Sequence, residues 1–185
     1  LGAAGRTGRS VVGALHDRGI TPVLVGRDRE RLDAAAAKGE RQSWNDLRPN
    51  ECKRAFPADD VGFITSLVSE ILGEYQADPR RVYLTGASNG GLMAYRLLLE
   101  GTFKFAAAAI FLATLPRGAQ RLSASCGAIP MMLLFGTQDP LVRWEGGTVP
   151  GHGGEQMSVP QTVGWWMRAS GASSQGVLSE ILPDT

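Results

Sequence analysis

The chain has 185 residues, 43% of them apolar and 20% charged, a composition that suits an ordinary folded domain and excludes a disordered or membrane-spanning chain. Nineteen basic against eighteen acidic side chains leave a formal charge of +1, so nucleic acid and anionic membrane are not expected partners and a small or polymeric substrate is. Cys52 and Cys126 are too few for a disulfide framework and lack the spacing of a zinc site; one bridge or two buried thiols fit equally, and no metal is expected.

The chain opens "LGAAGRTGRS", without an initiating Met, a basic n-region or an apolar h-region, and reads as one whose true start is missing. Gly2, Gly5 and Gly8 form a turn that leads into a helix from about Arg6 to Arg18, with Val11, Val12 and Leu15 inward. "TPVLVGR" follows as a short strand. Glycines so placed let backbone approach a pyrophosphate that the helix N-terminus neutralises, and Arg27 at the strand end suits a 2'-phosphate, which makes NADP the cofactor this segment would take. The alternative is a plain turn leading into a structural helix, with no cofactor bound. Residues 1–37 resemble the N-terminal half-unit of saccharopine dehydrogenase-like NAD(P)-dependent reductases.

"DRERLDAAAAKGE" reads as a helix with Asp28 available as its cap and Gly39 to end it, and the pattern turns irregular from Gly39 to Pro57. "ADDVGFITSLVSEILGEY" spaces Val61, Ile64, Leu67, Val68, Ile71 and Leu72 as a helical stripe started by Asp59 or Asp60. Strand "RVYLTG", helix "GGLMAYRLLLEG", strand "FAAAAIFLAT", strand "IPMMLLFGT", helix "PQTVGWWMRASG" and a last apolar run "GVLSEIL" follow. Strands alternating with helices predict a parallel sheet covered on both faces, with ligand crevices at its carboxyl ends. "EGGTVPGHGGEQ" reads as a glycine-rich loop.

"TGASNGG", residues 85–91, places Ser88 between Gly86 and Gly90, directly after a strand and before a helix. A sharp turn there needs small residues two positions either side, exposes the hydroxyl above the sheet, and aims the Asn89 backbone N–H at a developing oxyanion. Downstream, "MMLLFGTQDPLV" supplies Asp139 on a loop after a later strand, where the acid of a serine triad belongs. Asp-Pro is also a turn signal in its own right.

"SWND", "DDVGFITSLVSEI", "DPRRVYLTGASNGGLMAYRL", "FGTQDPLVRWEGG" and "SVPQTVGWW" resemble the polyhydroxybutyrate depolymerase and feruloyl esterase family of α/β-hydrolases, over residues 41–185. The resemblance implies a carboxylic ester hydrolase, commonly secreted, that works without cofactor or metal. Ser88 would be its nucleophile and Asp139 its acid, with a histidine in a glycine-rich turn after the last strand. Arg143 and Trp144 stand where a proline and an aromatic residue are more usual in that family.

The chain has two histidines, His16 and His152. His16 falls on the first helix. His152 keeps the order Ser, Asp, His and is the one base this sequence offers, although the fold places the base after the last strand; truncation just before that histidine is the simplest expectation, and with it weak activity. Trp144, Trp165 and Trp166 are expected to pack in the core or to line a substrate cleft. The expected fold is therefore α/β: an incomplete hydrolase-type, mostly parallel sheet over residues 41–185 behind a partial Rossmann-like half-unit over residues 1–40. The expected function is ester hydrolysis through an acyl-enzyme on Ser88, the rivals being an NADP-binding oxidoreductase fragment and a non-catalytic hydrolase-like domain.

Overall fold

The computed structural model describes residues 44–48, 59–122, 124, 126–148 and 154–171. Gly2, Gly5, Gly8, Arg27, His16, Cys52, His152 and the run "GVLSEIL" lie outside the described residues, and with them the half-unit expected over residues 1–40.

Helix α1 (Asp60–Glu74) starts where its acidic pair predicts: the Asp59 carboxylate accepts the Gly62 N–H at 2.8 Å, which satisfies one of the helix's orphan donors. Val61 and Ile64 rest against the core from one face of the helix. The helix ends with Gln76 in a left-handed conformation (φ 48°), while the Ala77 N–H returns to the Leu72 carbonyl at 3.3 Å. That is a Schellman-type stop with glutamine where glycine is usual. Gln76 is exposed, so Gln76→Gly should raise stability by about 1 kcal/mol through relief of the left-handed backbone, read as a higher urea midpoint at unchanged slope.

After a single 3-10 turn at Pro79–Arg81, strand β1 (Tyr83–Ala87), helix α2 (Asn89–Glu100), strand β2 (Ala107–Phe111) and strand β3 (Met131–Leu134) follow in the expected order. The three strands form a parallel sheet in the order β1-β2-β3, with Gly86 paired to Ile110 and Phe111 to Leu134. β2 and β3 are shorter than their apolar runs predict. Leu112 takes φ 51°, which turns the chain out of the ladder after Phe111.

α2 covers one face of the sheet, burying Leu92, Met93, Tyr95 and Leu98 together with Ala108 and Ile110 of β2. Tyr95 is fully enclosed; its hydroxyl donates to the Ala113 carbonyl at 3.0 Å, its ring stacks on Trp166 at 5.5 Å, and burial pushes the phenol far above its ordinary range. Trp166 belongs to helix α3 (Val159–Ala169), which opens with a reciprocal capping box between Ser158 and Gln161. Trp165 and Trp166 are thus core residues, whereas Trp144 is half-buried and lies elsewhere. On the opposite face of the sheet Tyr83, Met132 and Leu134 are exposed. Among the described residues no helix is long and apolar enough to cross a membrane.

The stretch read as a glycine-rich loop contains a two-stranded antiparallel ribbon, β4 (Gly147–Thr148) with β5 (Glu155–Gln156). Positive φ at Gly146 and Gly147 lets the chain enter it, and it is anchored beside the exit of β2: Met157 N–H donates to the Leu115 carbonyl at 2.8 Å, and Arg117 pairs with Glu155 at 2.8 Å. Cys126 carries a free, buried thiol, and burial raises it above the usual thiol range.

Candidate active site

Ser88 sits at the carboxyl end of β1 with φ 51° and ψ −121°, outside the wells that L-residues normally occupy. Such strain costs on the order of 1–3 kcal/mol and persists only where neighbours over-determine it. Here the Ser88 N–H donates to the Phe111 carbonyl at 2.9 Å, extending the ladder one step past the strand, and the Ser88 carbonyl accepts the Leu92 N–H at 3.0 Å as the first bond of α2. One residue thus belongs to both sheet and helix, which forces the turn between them.

Gly86 makes this closeness possible. A Cβ on Gly86 would collide with the Gly90 carbonyl oxygen and lie 2.6 Å from the Gly90 carbonyl carbon and 2.9 Å from the Gly91 nitrogen. Those are backbone atoms, so α2 itself would have to move. Gly91, which the sequence pattern did not single out, serves the next contact: a Cβ there would lie 2.7 Å from the Ala113 Cβ and 3.1 Å from Ile110 Cγ2. Gly86→Ala should therefore destabilise by about 3 kcal/mol, seen as a lower urea midpoint, and should move Ser88 off its strained geometry.

Ser88 occupies the N-cap position of α2, a place where serine normally spends its hydroxyl on a helix N–H, yet its side chain makes no capping bond. Ser88 is exposed, and its hydroxyl has no hydrogen-bond partner among the described residues. The next backbone N–H, that of Asn89, heads α2 and has no acceptor among the described residues. An unsatisfied N–H at the positive end of a helix, one peptide from a free hydroxyl, is a ready donor for an oxyanion formed at that hydroxyl.

The carboxyl end of β3 lies on the same edge of the sheet. Asp139 follows β3, and its Oδ1 accepts the backbone N–H groups of Leu141 and Val142, both at 2.8 Å. The carboxylate thereby fixes its own turn with one oxygen, and among the described residues no donor reaches Oδ2. The turn-residue and acid readings of Asp139 are compatible, since each uses a different oxygen. β1 and β3 flank β2, so their ends stand two strand spacings apart, about 9–10 Å. Side chains reaching inward from the two strand ends can share one imidazole, hydrogen-bonded at both nitrogens, across such a gap. The sequence places His152 between Thr148 of β4 and Glu155 of β5, outside the described residues.

Asp139 also lines a surface depression of about 380 Å³ with Thr137, Gln138, Pro140, Arg143, Trp144 and Glu145. The Trp144 ring beside Asp139 gives this hollow an apolar wall.

Trp44, Asn45 and Asp46, which the sequence pattern gives no individual role, dock beside the turn. The Trp44 N–H donates to Asn89 Oδ1 at 3.0 Å, and Asn89 Nδ2 donates to Asp46 Oδ2 over a short contact. Asp46 in turn pairs with Arg48 at 2.7 Å. Asn45 bridges the helices: its N–H donates to Asp60 Oδ2 at 2.7 Å, and its carbonyl accepts from Arg96. Among the described residues no group of three or more His, Cys, Asp and Glu side chains is arranged to hold a metal ion.

Comparison with known proteins gives one informative match. The chain is 31% identical, over 192 aligned positions, to a protein of Nocardia uniformis subsp. tsuyamanensis that bears the name "Putative esterase NocK". The match covers 91% of this chain and 54% of the relative, so the chain spans about half the relative's length. The unmatched share is smaller than residues 1–40, and the match therefore reaches into that segment. No protein-family model and no solved structure matches the chain.

Proposed function

We propose that the chain is a serine carboxylic ester hydrolase module, with Ser88 as nucleophile, the Asn89 N–H as one oxyanion donor and Asp139 as the acid that orients the base. The observation that carries this reading is the backbone of Ser88. A non-glycine residue is held at positive φ between a parallel strand and a helix, with a hydroxyl that does not cap the helix and has no hydrogen-bond partner among the described residues. Structural roles for a serine at an N-cap use that hydroxyl; a nucleophile needs it free. The likeness to a protein named as an esterase supports the same reaction class.

In the proposed reaction the Ser88 hydroxyl attacks the ester carbonyl while an imidazole takes its proton, and the oxyanion forms against the Asn89 N–H. The alcohol leaves with that proton, and water then releases the acid from Ser88 by the same route. Of the two histidines, His152 is the one that follows Asp139 and is proposed for this role. Trp144 and its neighbours form the wall that would meet the organic part of the ester, consistent with aryl, acetyl or polyhydroxyalkanoate esters. The purified chain should hydrolyse short-chain p-nitrophenyl esters above the buffer rate, and no excess over buffer from a chain shown to be folded would contradict the assignment.

A further inference from the structure

Asn89 is the first residue of α2, and its side chain is gripped at both ends from outside the helix. Oδ1 faces the Trp44 N–H and Nδ2 faces the Asp46 carboxylate, which fixes the orientation of the carboxamide. Both partners lie more than forty positions away in sequence. Asp46 is among the most enclosed carboxylates, its side chain only 4% exposed.

The grip does not serve to neutralise Asp46. Arg48 already does so, with its backbone N–H at 2.9 Å and Nε at 3.0 Å on Oδ1, and Nη2 at 2.7 Å on Oδ2. The additional bond from Asn89 therefore acts on Asn89. Without it, the strained Ser88 could relax by rotating the Ser88–Asn89 peptide, which would swing the Asn89 N–H away from the hydroxyl. Holding the Asn89 side chain opposes that rotation from the residue that carries the N–H.

We propose that Asp46 is a positioning residue that, through the Asn89 carboxamide, locks the Ser88–Asn89 peptide and so aims the oxyanion donor. Its effect on catalysis rests on the ester hydrolase reading above; its effect on the peptide does not. The segment has two further anchors, Asn45 to Asp60 and Arg96 to Asn45, so the loss of Asp46 leaves it docked.

The test is a double-mutant cycle on the whole chain with Asp46→Ala, Asn89→Ala and the pair, read two ways. Alanine is used at position 46 because asparagine could still accept from Asn89. In acylation by a fluorophosphonate, each single variant should be about tenfold slower, milder than the 10²–10³ that loss of an oxyanion donor costs, because the donor is displaced and not deleted. The pair should be no slower than either single variant, since both break one link. In ¹H–¹⁵N spectra, Asp46→Ala should shift the backbone amides of Ser88 and Asn89 and speed their hydrogen exchange.

Unchanged Ser88 and Asn89 amides in Asp46→Ala would overturn the proposal, as would independent effects that multiply to about a hundredfold in the pair. If Asp46→Ala does not fold, Asn89→Ala, which leaves the Asp46–Arg48 pair intact, tests the same link through the Ser88 amide. A wild-type chain that takes no label would remove the hydrolase reading, while the amide spectra would still decide the role of Asp46.

Discussion

Ser88→Ala should abolish ester hydrolysis while leaving the fold as stable as the parent. In an assembled triad the nucleophile carries a factor of about 10⁶ in kcat, because nothing else in the site can form the acyl intermediate. Stability should stay within about 0.5 kcal/mol, since Ser88 is exposed and its side chain makes no capping bond. The combination is what separates a nucleophile from an N-cap serine, whose removal would cost about 1 kcal/mol and no activity. Parallel urea unfolding and p-nitrophenyl ester assays read both halves, and hydrolysis by Ser88→Ala at the parental rate would remove serine catalysis at this position.

Asp139→Asn should have the second largest effect, a fall of up to about 10⁴-fold in kcat with little change in KM. The reasoning is geometric. Oδ1 holds the turn through Leu141 and Val142, and an asparagine oxygen can keep both bonds, so the loop should survive. The opposite atom becomes an NH2, a donor where the imidazole also presents a donor, and the base is left in the wrong tautomer. A drop of this size with an unchanged melting temperature marks Asp139 as the triad acid. A matching fall in stability without loss of kcat would leave it a turn residue only. His152→Ala should give a comparable fall if His152 is the base.

The turn that carries Ser88 was legible in the sequence because its signals are local. The spacing of Gly86, Ser88 and Gly90 fixes a strand-to-helix turn through sterics that act within six residues, and the structure places the turn there. The start of α1 at the Asp59–Asp60 pair is likewise a short-range pattern, and Asp59 proves to be the cap. What periodicity could not reach is tertiary. Gly91 matters only because Ala113 and Ile110 stand opposite it, and Asp46 only because folding brings it to Asn89. The ends of β2 were misplaced because apolar residues run on through Leu112, while the ladder stops where that residue turns to positive φ. Nothing in an alanine-rich run marks such a break. The division of labour among three tryptophans was also closed to pattern reading, since Trp165 and Trp166 face the core only by virtue of how α3 docks on Tyr95.

The most direct test of the central claim is covalent. The folded chain is incubated with a fluorophosphonate probe, digested, and the adduct located by peptide mass. A single phosphonylated residue, Ser88, absent in Ser88→Ala, is the predicted result, because only a hydroxyl activated by a base and faced by an oxyanion donor reacts readily with such a probe. A folded chain with no adduct, or with its adduct on another residue, would contradict Ser88 as the nucleophile.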